Sequence, residues 1–263
     1  MAGFNVNELI LDKVRSIIFT NYSNGTIIGR LTQLEDPSLQ MTAEADEVVD
    51  AVGSLITKIF RAKAAKFTAT NSLLSMDLLA LQAGTEKQVA TGTSKIIVPC
   101  EEILTVTDGK ITLTNTPVGD LNTIYLLANG QLGTSYTKGA AAASESEFAI
   151  TDKKITVPTG VTQGKFYVQY NYETENAVKV ANNTEKFPEM VGCKIFALFR
   201  DQCDENKKYA GVIIAEKAKI DPSSIDIALT STGKHAFDID FMRNYCEDGS
   251  DLFSVIIPGE TVA

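Results

Sequence analysis

The chain has no tryptophan, a single histidine, and no apolar run near the roughly 20 residues that a membrane-spanning helix requires. His235 stands beside Lys234 at a turn, which predicts a solvated or locally hydrogen-bonded imidazole and not a catalytic one. Residues 1–13 contain Glu8 and Asp12 and lack a positively charged start, so no secretory signal is expected. These absences predict a protein without a membrane anchor, made and kept in the cytosol.

Cysteine is also sparse. Cys100, Cys193, Cys203 and Cys246 are widely separated and form no C-x-x-C pair, so neither a zinc site nor a redox motif is predicted. Their even number could form disulfides, but in a reducing compartment we expect buried free thiols instead. The acidic segment 201–206 lacks the glycine and the closing glutamate of a calcium-binding loop.

The usual motifs of catalysis and nucleotide binding are missing. Gly233-Lys234 has no glycine five residues earlier and so fails as a phosphate-binding loop, and neither G-x-G-x-x-G nor G-x-S-x-G occurs. Asp238 and Asp240 share one face of a strand, as paired glycosidase carboxylates can, but outward alternation explains both more simply. We therefore predict no catalytic residue, no cofactor, no metal and no enzyme activity.

Positive charge is in deficit, with 24 basic against 33 acidic residues and a net charge of -9. Affinity for nucleic acid comes mainly from lysine and arginine, so a surface that grips DNA or RNA is not expected. Either the charge serves solubility, or it lines a surface that nucleic acid passes without binding. A hydrophobic content of 44% predicts a folded chain, and 263 residues suit one large or two modest domains.

Apolar residues with a period of two predict a mainly β fold. Near the C-terminus, apolar and polar positions alternate from Ile225 to Thr230 and again from Phe237 to Phe241, which places one apolar face on a core. The uninterrupted run Leu252–Ile257 suggests a strand buried on both sides. Residues 16–34 read as a hairpin turning at Asn24-Gly25.

One α-helix is expected. Asn71 or Ser72 can cap a helix that carries Leu74, Leu78 and Leu81 on one face, and Gly84 can end it.

A charged hairpin is predicted between residues 44 and 66. Its first arm is acidic, Gly53 provides the bend, and its second arm is basic. The arms can simply neutralise each other in solvent, or the hairpin can be an intersubunit element, because long edge strands need covering. The candidate subunit or ring interface comprises Glu44, Asp46, Glu47, Asp50, Lys58, Arg61, Lys63 and Lys66.

Short β-prone runs fill the middle of the chain, as in a small β-sandwich, and turn clusters that include Asp108-Gly109 and Asn129-Gly130 separate them. The small polar segment 139–147 is expected to be a mobile loop. We predict an inserted β-sandwich domain at 98–187, flanked by a first part at 1–97 and a second part at 188–263.

The runs at 213–220, 225–233, 235–241 and 252–258 resemble the C-terminal portion of bacteriophage tail tube (major tail) proteins. The resemblance implies a tail-tube-like β-sandwich or half-barrel whose subunits form rings, usually hexameric, that stack into a tube. It implies a virion tail assembled in the host cytoplasm, with tape measure, terminator and initiator proteins as partners. DNA would pass through the lumen, and be ejected through it, without specific binding.

Two other functions stay open. The first is a cell-surface or carbohydrate-binding β-sandwich module, for which the insertion offers Tyr125, Tyr136, Tyr167, Tyr170 and Tyr172. The second is the tube of a bacterial contractile injection or secretion machine, which shares the fold. An outward-pointing insertion would occupy the surface on which a contractile sheath docks, and so favours a non-contractile tail.

Overall fold

The computed structural model describes residues 9–139, 144–204, 206–224, 226–230, 233–245 and 250–262. Ile225, Ser231, Thr232, Cys246 and residues 140–143 of the predicted 139–147 loop lie outside the described residues. The fold is mainly β, with a nearly closed half-barrel among its sheets and one helix in the described ranges, which confirms the predicted fold class.

The strands and the helix follow in chain order, with a short 3-10 helix at Pro222–Ser224. They are β1 Leu9–Asn21, β2 Ile27–Leu31, β3 Leu34–Val49, β4 Leu55–Asn71, α1 Met76–Ala83, β5 Gln88–Val89, β6 Ile96–Thr105, β7 Lys110–Thr112, β8 Thr123–Ala128, β9 Gln131–Lys138, β10 Glu147–Thr151, β11 Lys154–Thr156, β12 Lys165–Thr174, β13 Val178–Lys179, β14 Met190–Asp201, β15 Lys208–Ile220, β16 Asp226–Ile227, β17 His235–Phe241, β18 Ser254–Ile256 and β19 Thr261–Val262.

The chain divides into two compact units, the first made of residues 1–87 with 180–263 and the second of residues 88–179. The sequence predicts the insertion at 98–187. The second unit instead starts at Gln88 and ends at Lys179. That the second unit folds separately stays a prediction.

The first unit is built on one antiparallel sheet with the strand order β2-β1-β14-β15-β17-β4-β3. Its core forms where inward positions of these strands meet. Phe237 lies edge-on to Phe19 at 6.3 Å between ring centroids and packs against Phe67 at 6.4 Å. The strands β16, β18 and β19 add short pairings to β17 and β15.

The alternation predicted for β17 is confirmed. Phe237, Ile239 and Phe241 are buried, while Asp238 and Asp240 occupy the opposite face. Asp238 is not free in solvent, because Lys66 Nζ lies 2.8 Å from its carboxylate.

Three apolar residues that the sequence predicts to be buried are exposed. Leu229 is 93% exposed because it follows the short strand β16 at the end of the sheet. In the run predicted to be buried on both sides, Val255 and Ile256 are each 50% exposed, since β18 pairs only with β15 and neither of its faces is fully covered within the described residues.

Helix α1 begins later than the sequence predicts. Ser75 is its N-cap and accepts a hydrogen bond from Leu78 N at 3.3 Å, so Leu74 lies before the helix and is exposed. Gly84 ends the helix as predicted, with φ of 62°. A side chain there would also collide with the Phe187 carbonyl, so both the conformation and the space favour glycine.

The prediction of a solvated or locally bonded His235 is wrong. The residue begins β17 opposite Asn71 and its imidazole is fully buried in the core. Its Nε2 contacts Gln82 Oε1, and Gln82 Nε2 donates to Ala236 O at 3.2 Å, which links α1 to β17. Nδ1 has no hydrogen-bond partner among the described residues.

Acid should destabilise the first unit through His235. Burial lowers the pKa of the imidazole below its usual 6.5, so the unfolded chain binds the proton more readily. Stability present above the unfolded pKa is therefore lost as pH falls from about 6.5 towards the native pKa, by at most about 1.4 kcal/mol per pH unit. Denaturant midpoints at about pH 7.5 and about pH 5.5 should differ less for His235→Gln than for the wild type. An equal pH dependence in both proteins would contradict this assignment.

The second unit orders its main sheet β6-β12-β8-β9-β10-β11-β7. Two of its predicted turns are confirmed, because Asp108-Gly109 and Asn129-Gly130 have positive φ at both residues, as tight hairpins require. Its core contains the fully buried side chains of Ile124, Phe148, Ile155 and Phe166.

A carboxylate links strands within the second unit. Glu102 on β6 accepts a hydrogen bond from Tyr170 Oη at 2.6 Å and from Thr114 N at 3.2 Å. Tyr170 Oη in turn accepts from Asn115 N at 3.1 Å. Burial and the adjacent carboxylate raise the pKa of Tyr170. The network joins β6 and β12 to the segment that follows β7.

Tyr170→Phe should therefore destabilise the second unit. Removing the hydroxyl leaves Asn115 N without this acceptor and Glu102 without its shortest hydrogen bond, and an unmatched buried polar group costs about 1–3 kcal/mol. Calorimetry of the full chain measures the change. Tyr167→Phe is the control, because its hydroxyl bonds the exposed Glu101 and should cost much less. Equal losses in the two variants would count against the proposed network.

Candidate interface hairpin

The structure contains a long hairpin at the charged segment, formed by β3 and β4. Its turn is held by Asp50 Oδ1, which accepts from Val52 N at 3.0 Å and from Ser54 N at 2.7 Å. Gly53 has φ of 86°, a conformation that glycine adopts at little cost.

A bulge divides this hairpin into two halves. Thr42 pairs with Ala64 and Glu44 pairs with Arg61, so the strands carry unequal numbers of residues between these pairs, and Ala62 has positive φ. On the near side of the bulge, Ala65 and its inward neighbours are buried against the core. On the far side, residues 44–61 pair with each other and with no other described segment. This distal half extends about 20 Å, estimated from a rise of about 3.4 Å per residue.

The interface candidates lie in different places along the hairpin. On the distal half, Asp46 forms an ion pair with Arg61, and Lys58 Nζ lies 2.8 Å from Glu47. These exposed pairs fit the interpretation of arms that neutralise each other. Glu44 lies on the distal half and Lys63 at the bulge; both are exposed, and neither has an ion-pair partner among the described residues.

Two candidates have structural contacts of their own. Asp50 is used by the turn, as described above. Lys66 lies on the near side of the bulge, where its ammonium group contacts Asp238 at 2.8 Å and Asp221 at 3.5 Å. The hydrogen bond to Asp238 raises the pKa of Lys66. Its position in the sheet distinguishes Lys66 from the distal charges.

Large exposed apolar residues accompany the charges on the distal half, and the sequence interpretation missed them. Val52 is 89% exposed and Phe60 is 64% exposed. Such side chains on a projecting ribbon indicate a surface that another molecule covers. The β-branched and aromatic residues of 55–60 are the sequence signal for this surface, because such residues both favour a strand and supply apolar side chains. The exposed apolar set is Val48, Val49, Val52, Leu55, Ile56, Ile59 and Phe60.

The two faces of the distal half differ in composition. Cross-strand partners share a face, so Phe60 lies with Ala45, and Val49 lies with Leu55, around the Glu47–Lys58 pair. The opposite face carries Glu44 with Arg61, Asp46 with Ile59, and Val48 with Thr57. Each face therefore combines charge with apolar surface, as protein interfaces commonly do.

The sheet of the first unit ends in open edges. On one side β2 pairs only with β1 in the part of the chain that the structure describes, and its Ile27 is 67% exposed. On the other side β3 pairs only with β4 within the described residues. Near its start, β3 carries a bulge at Asp36-Pro37, which blunts that part of the edge, whereas the rest has no proline.

The tyrosines of the second unit are divided between core and surface. Tyr170 is buried, and Tyr136 packs on Phe166 at 5.9 Å between ring centroids. Tyr125 and Tyr167 share the outer face at 6.5 Å. The surface that could stack on sugar is thus smaller than the sequence suggested.

The fold and the hairpin define a β-structured protein with open sheet edges and a projecting amphipathic ribbon, the features of a subunit that contacts other protein surfaces. The chain belongs to the YomU/Tube protein family, whose model matches residues 9–251. This confirms the resemblance to phage tail tube proteins and makes the chain a tube-type structural protein of the virion tail. No curated protein sequence matches the chain. No helix in the described ranges has the length and apolar character needed to cross a membrane.

Proposed function

We propose that this protein is a major tail tube subunit that polymerises as stacked, hexameric rings and forms the conduit for DNA ejection. The distal hairpin carries the proposal, because it holds its large apolar side chains in solvent when the subunit is alone. Joining open edges of neighbouring sheets around a ring covers both edges at once. The role is structural, without catalysis.

The lumen of the proposed tube lets DNA pass without specific binding. The net charge of -9 supports this, because a surface short of positive charge does not retain phosphate backbones. The tape measure protein would lie in the lumen, with terminator and initiator proteins at the tube ends. Assembly would take place in the host cytoplasm.

The candidate hairpin residues form subunit or ring contacts in this proposal. Glu44, Asp46, Glu47, Lys58 and Arg61 on the distal half, with Lys63 at the bulge, would meet charges of other copies. Asp50 would shape the turn, and Lys66 would stay in the sheet of its own subunit.

Purified protein at millimolar concentration should form rings or tubes, measured by light scattering and negative-stain electron microscopy. Isolated tubes or an initiator complex can be added as seeds, because nucleation can limit growth. A strictly monomeric species at that concentration, with seeds present, would refute the proposed assembly.

We further propose that the second unit is a separable module. Val89 pairs with Val178, and Ala90 N donates to Ala177 O at 2.8 Å, so the two ends of the insertion lie side by side. A short Gly/Ser linker replacing 88–179 should give a soluble protein that still assembles. Insoluble product from this deletion, with an excised unit that also fails to fold, would refute these boundaries.

A further inference from the structure

The chain contains two Asn-Gly pairs, and both lie in exposed turns. Asn24-Gly25 lies between β1 and β2 in the first unit, and Asn129-Gly130 lies between β8 and β9 in the second unit. In such a pair the glycine nitrogen can attack the side-chain amide of the asparagine, because glycine has no Cβ to hinder the approach. The two turns differ in how they hold the atoms that would react.

In the first turn these atoms are held by hydrogen bonds. Gly25 N, the atom that would attack, donates to Asn21 O at 2.8 Å. Asn24 Oδ1 accepts from Thr26 N at 3.0 Å and from Thr26 Oγ1 at 2.7 Å, which fixes the side-chain amide. These hydrogen bonds must break before the reaction can begin, so the fold protects Asn24.

In the second turn the corresponding atoms are unrestrained. Neither the Asn129 side chain nor Gly130 N has a hydrogen bond to any residue that the structure describes. Both residues are exposed and have positive φ, 52° for Asn129 and 78° for Gly130, as a tight two-residue turn requires. Water and hydroxide therefore have access to the reacting atoms.

The end of the hairpin that carries this turn is short. A bulge follows Tyr125 in β8, and beyond it the strands are joined by the pairs Leu127–Leu132 and Ala128–Gln131. Leu132 is 59% exposed, so little packing holds these pairs in place. A short, exposed hairpin end opens locally at low cost, which lets Asn129 reach the geometry of attack.

We propose that Asn129, separately from the tube function, is a self-modification site at which the folded protein reacts with water. Gly130 N loses its proton to hydroxide and attacks Asn129 Cγ. The N–Cγ bond forms, the Cγ–Nδ2 bond breaks, and ammonia leaves with a proton taken from water. Water then opens the resulting cyclic succinimide at either carbonyl and gives aspartate or isoaspartate. Each product gains one oxygen atom from water, and no oxidant or reductant is needed.

The reaction changes the turn in two ways. Both products carry a carboxylate in place of the neutral amide of Asn129, so each modified subunit gains one negative charge. In isoaspartate the main chain also passes through Cγ, which adds one backbone carbon to a two-residue turn. The pairing of Ala128 with Gln131 depends on the length of that turn, so we expect isoaspartate to break it.

The two Asn-Gly pairs can be compared in one sample of the full-length protein. The protein is incubated in mildly alkaline buffer made with water that carries a heavy oxygen isotope. It is then digested in ordinary water, so that label marks only the reaction in the intact chain, and the peptides are analysed by mass spectrometry. The peptide with Asn129 should gain label about tenfold faster than the peptide with Asn24, the factor expected when about one hydrogen bond must break.

Denaturant provides the control for this measurement. In the unfolded chain both pairs lose their surroundings, so their labelling rates should become similar. Equal labelling of the two peptides in the folded protein, or faster labelling at Asn24, overturns the proposal. The absence of label at Asn129 overturns it as well.

Variants give a second measurement, which detects charge instead of label. Isoelectric focusing of the folded wild type should show an acidic form that accumulates with time. Asn129→Gln should lose most of that form, because glutamine has to close a larger ring. Asn24→Gln is the matched control and should accumulate the acidic form like the wild type. Undiminished accumulation in Asn129→Gln overturns the proposal, whereas the labelling measurement uses the wild type alone and does not depend on the folding of any variant.

Discussion

Phe237→Ala is expected to lower the free energy of unfolding of the first unit by about 3–5 kcal/mol. The ring is fully buried, contacts Phe19 edge-on and packs on Phe67, so alanine loses transfer free energy and leaves a cavity among side chains on three strands. For a unit of this size, calorimetry should show its transition about 6–20 °C lower.

The neighbouring aspartates are matched controls for this substitution. Asp240→Ser alters an exposed residue on the opposite face and should cost less than about 0.5 kcal/mol. Asp238→Ser removes the contact with Lys66 and should cost about 0.2–1 kcal/mol. If Phe237→Ala and Asp240→Ser melt alike, the register of β17 described here is wrong.

The local chemistry of the chain was sufficient to predict much of the fold. The alternation in β17 required only a period of two, and the turns at Asp108-Gly109 and Asn129-Gly130 required only residues that tolerate positive φ. Gly84 was predictable as a helix end for the same reason. Each of these features depends on a few adjacent residues.

Features set by distant residues were not predictable. His235 is buried because Gln82, 153 residues away in sequence, lies over the start of β17. Leu229 and Val255 look like core residues in sequence. However, Leu229 follows the two-residue strand β16, and Val255 lies in the three-residue strand β18, where nothing described fully covers them. Local hydrophobicity does not reveal which strands end a sheet.

The candidate hairpin shows the same division between local and distant information. Its opposite charges, its glycine bend and its two arms were evident in the sequence. Its bulge at Ala62, the position of Lys66 within the sheet and the exposure of Phe60 depend on where β17 stops covering β4. The charges alone therefore described only half of the candidate interface.

Exchanging the charges of the distal arms should abolish or sharply slow tube growth while leaving the subunit stable. In the variant Asp46→Lys, Glu47→Lys, Lys58→Glu, Arg61→Glu, both cross-strand ion pairs are kept with inverted signs. Asp50 is left unchanged because its carboxylate holds the turn. Circular dichroism and melting should match the wild type, since the pairs within the hairpin can still form.

Contacts between these charges and the remaining surface of neighbouring copies would not survive this exchange, because that surface keeps its original charges. Each exposed pair contributes only about 0.2–1 kcal/mol, but a ring repeats the contact in every subunit, so the sum can decide polymerisation. Asp46→Glu with Arg61→Lys preserves the signs and should assemble like the wild type. Added salt should weaken wild-type assembly by screening these charges. Tubes of normal length from the charge-exchanged protein, seen by electron microscopy, would show that these arms interact only with each other.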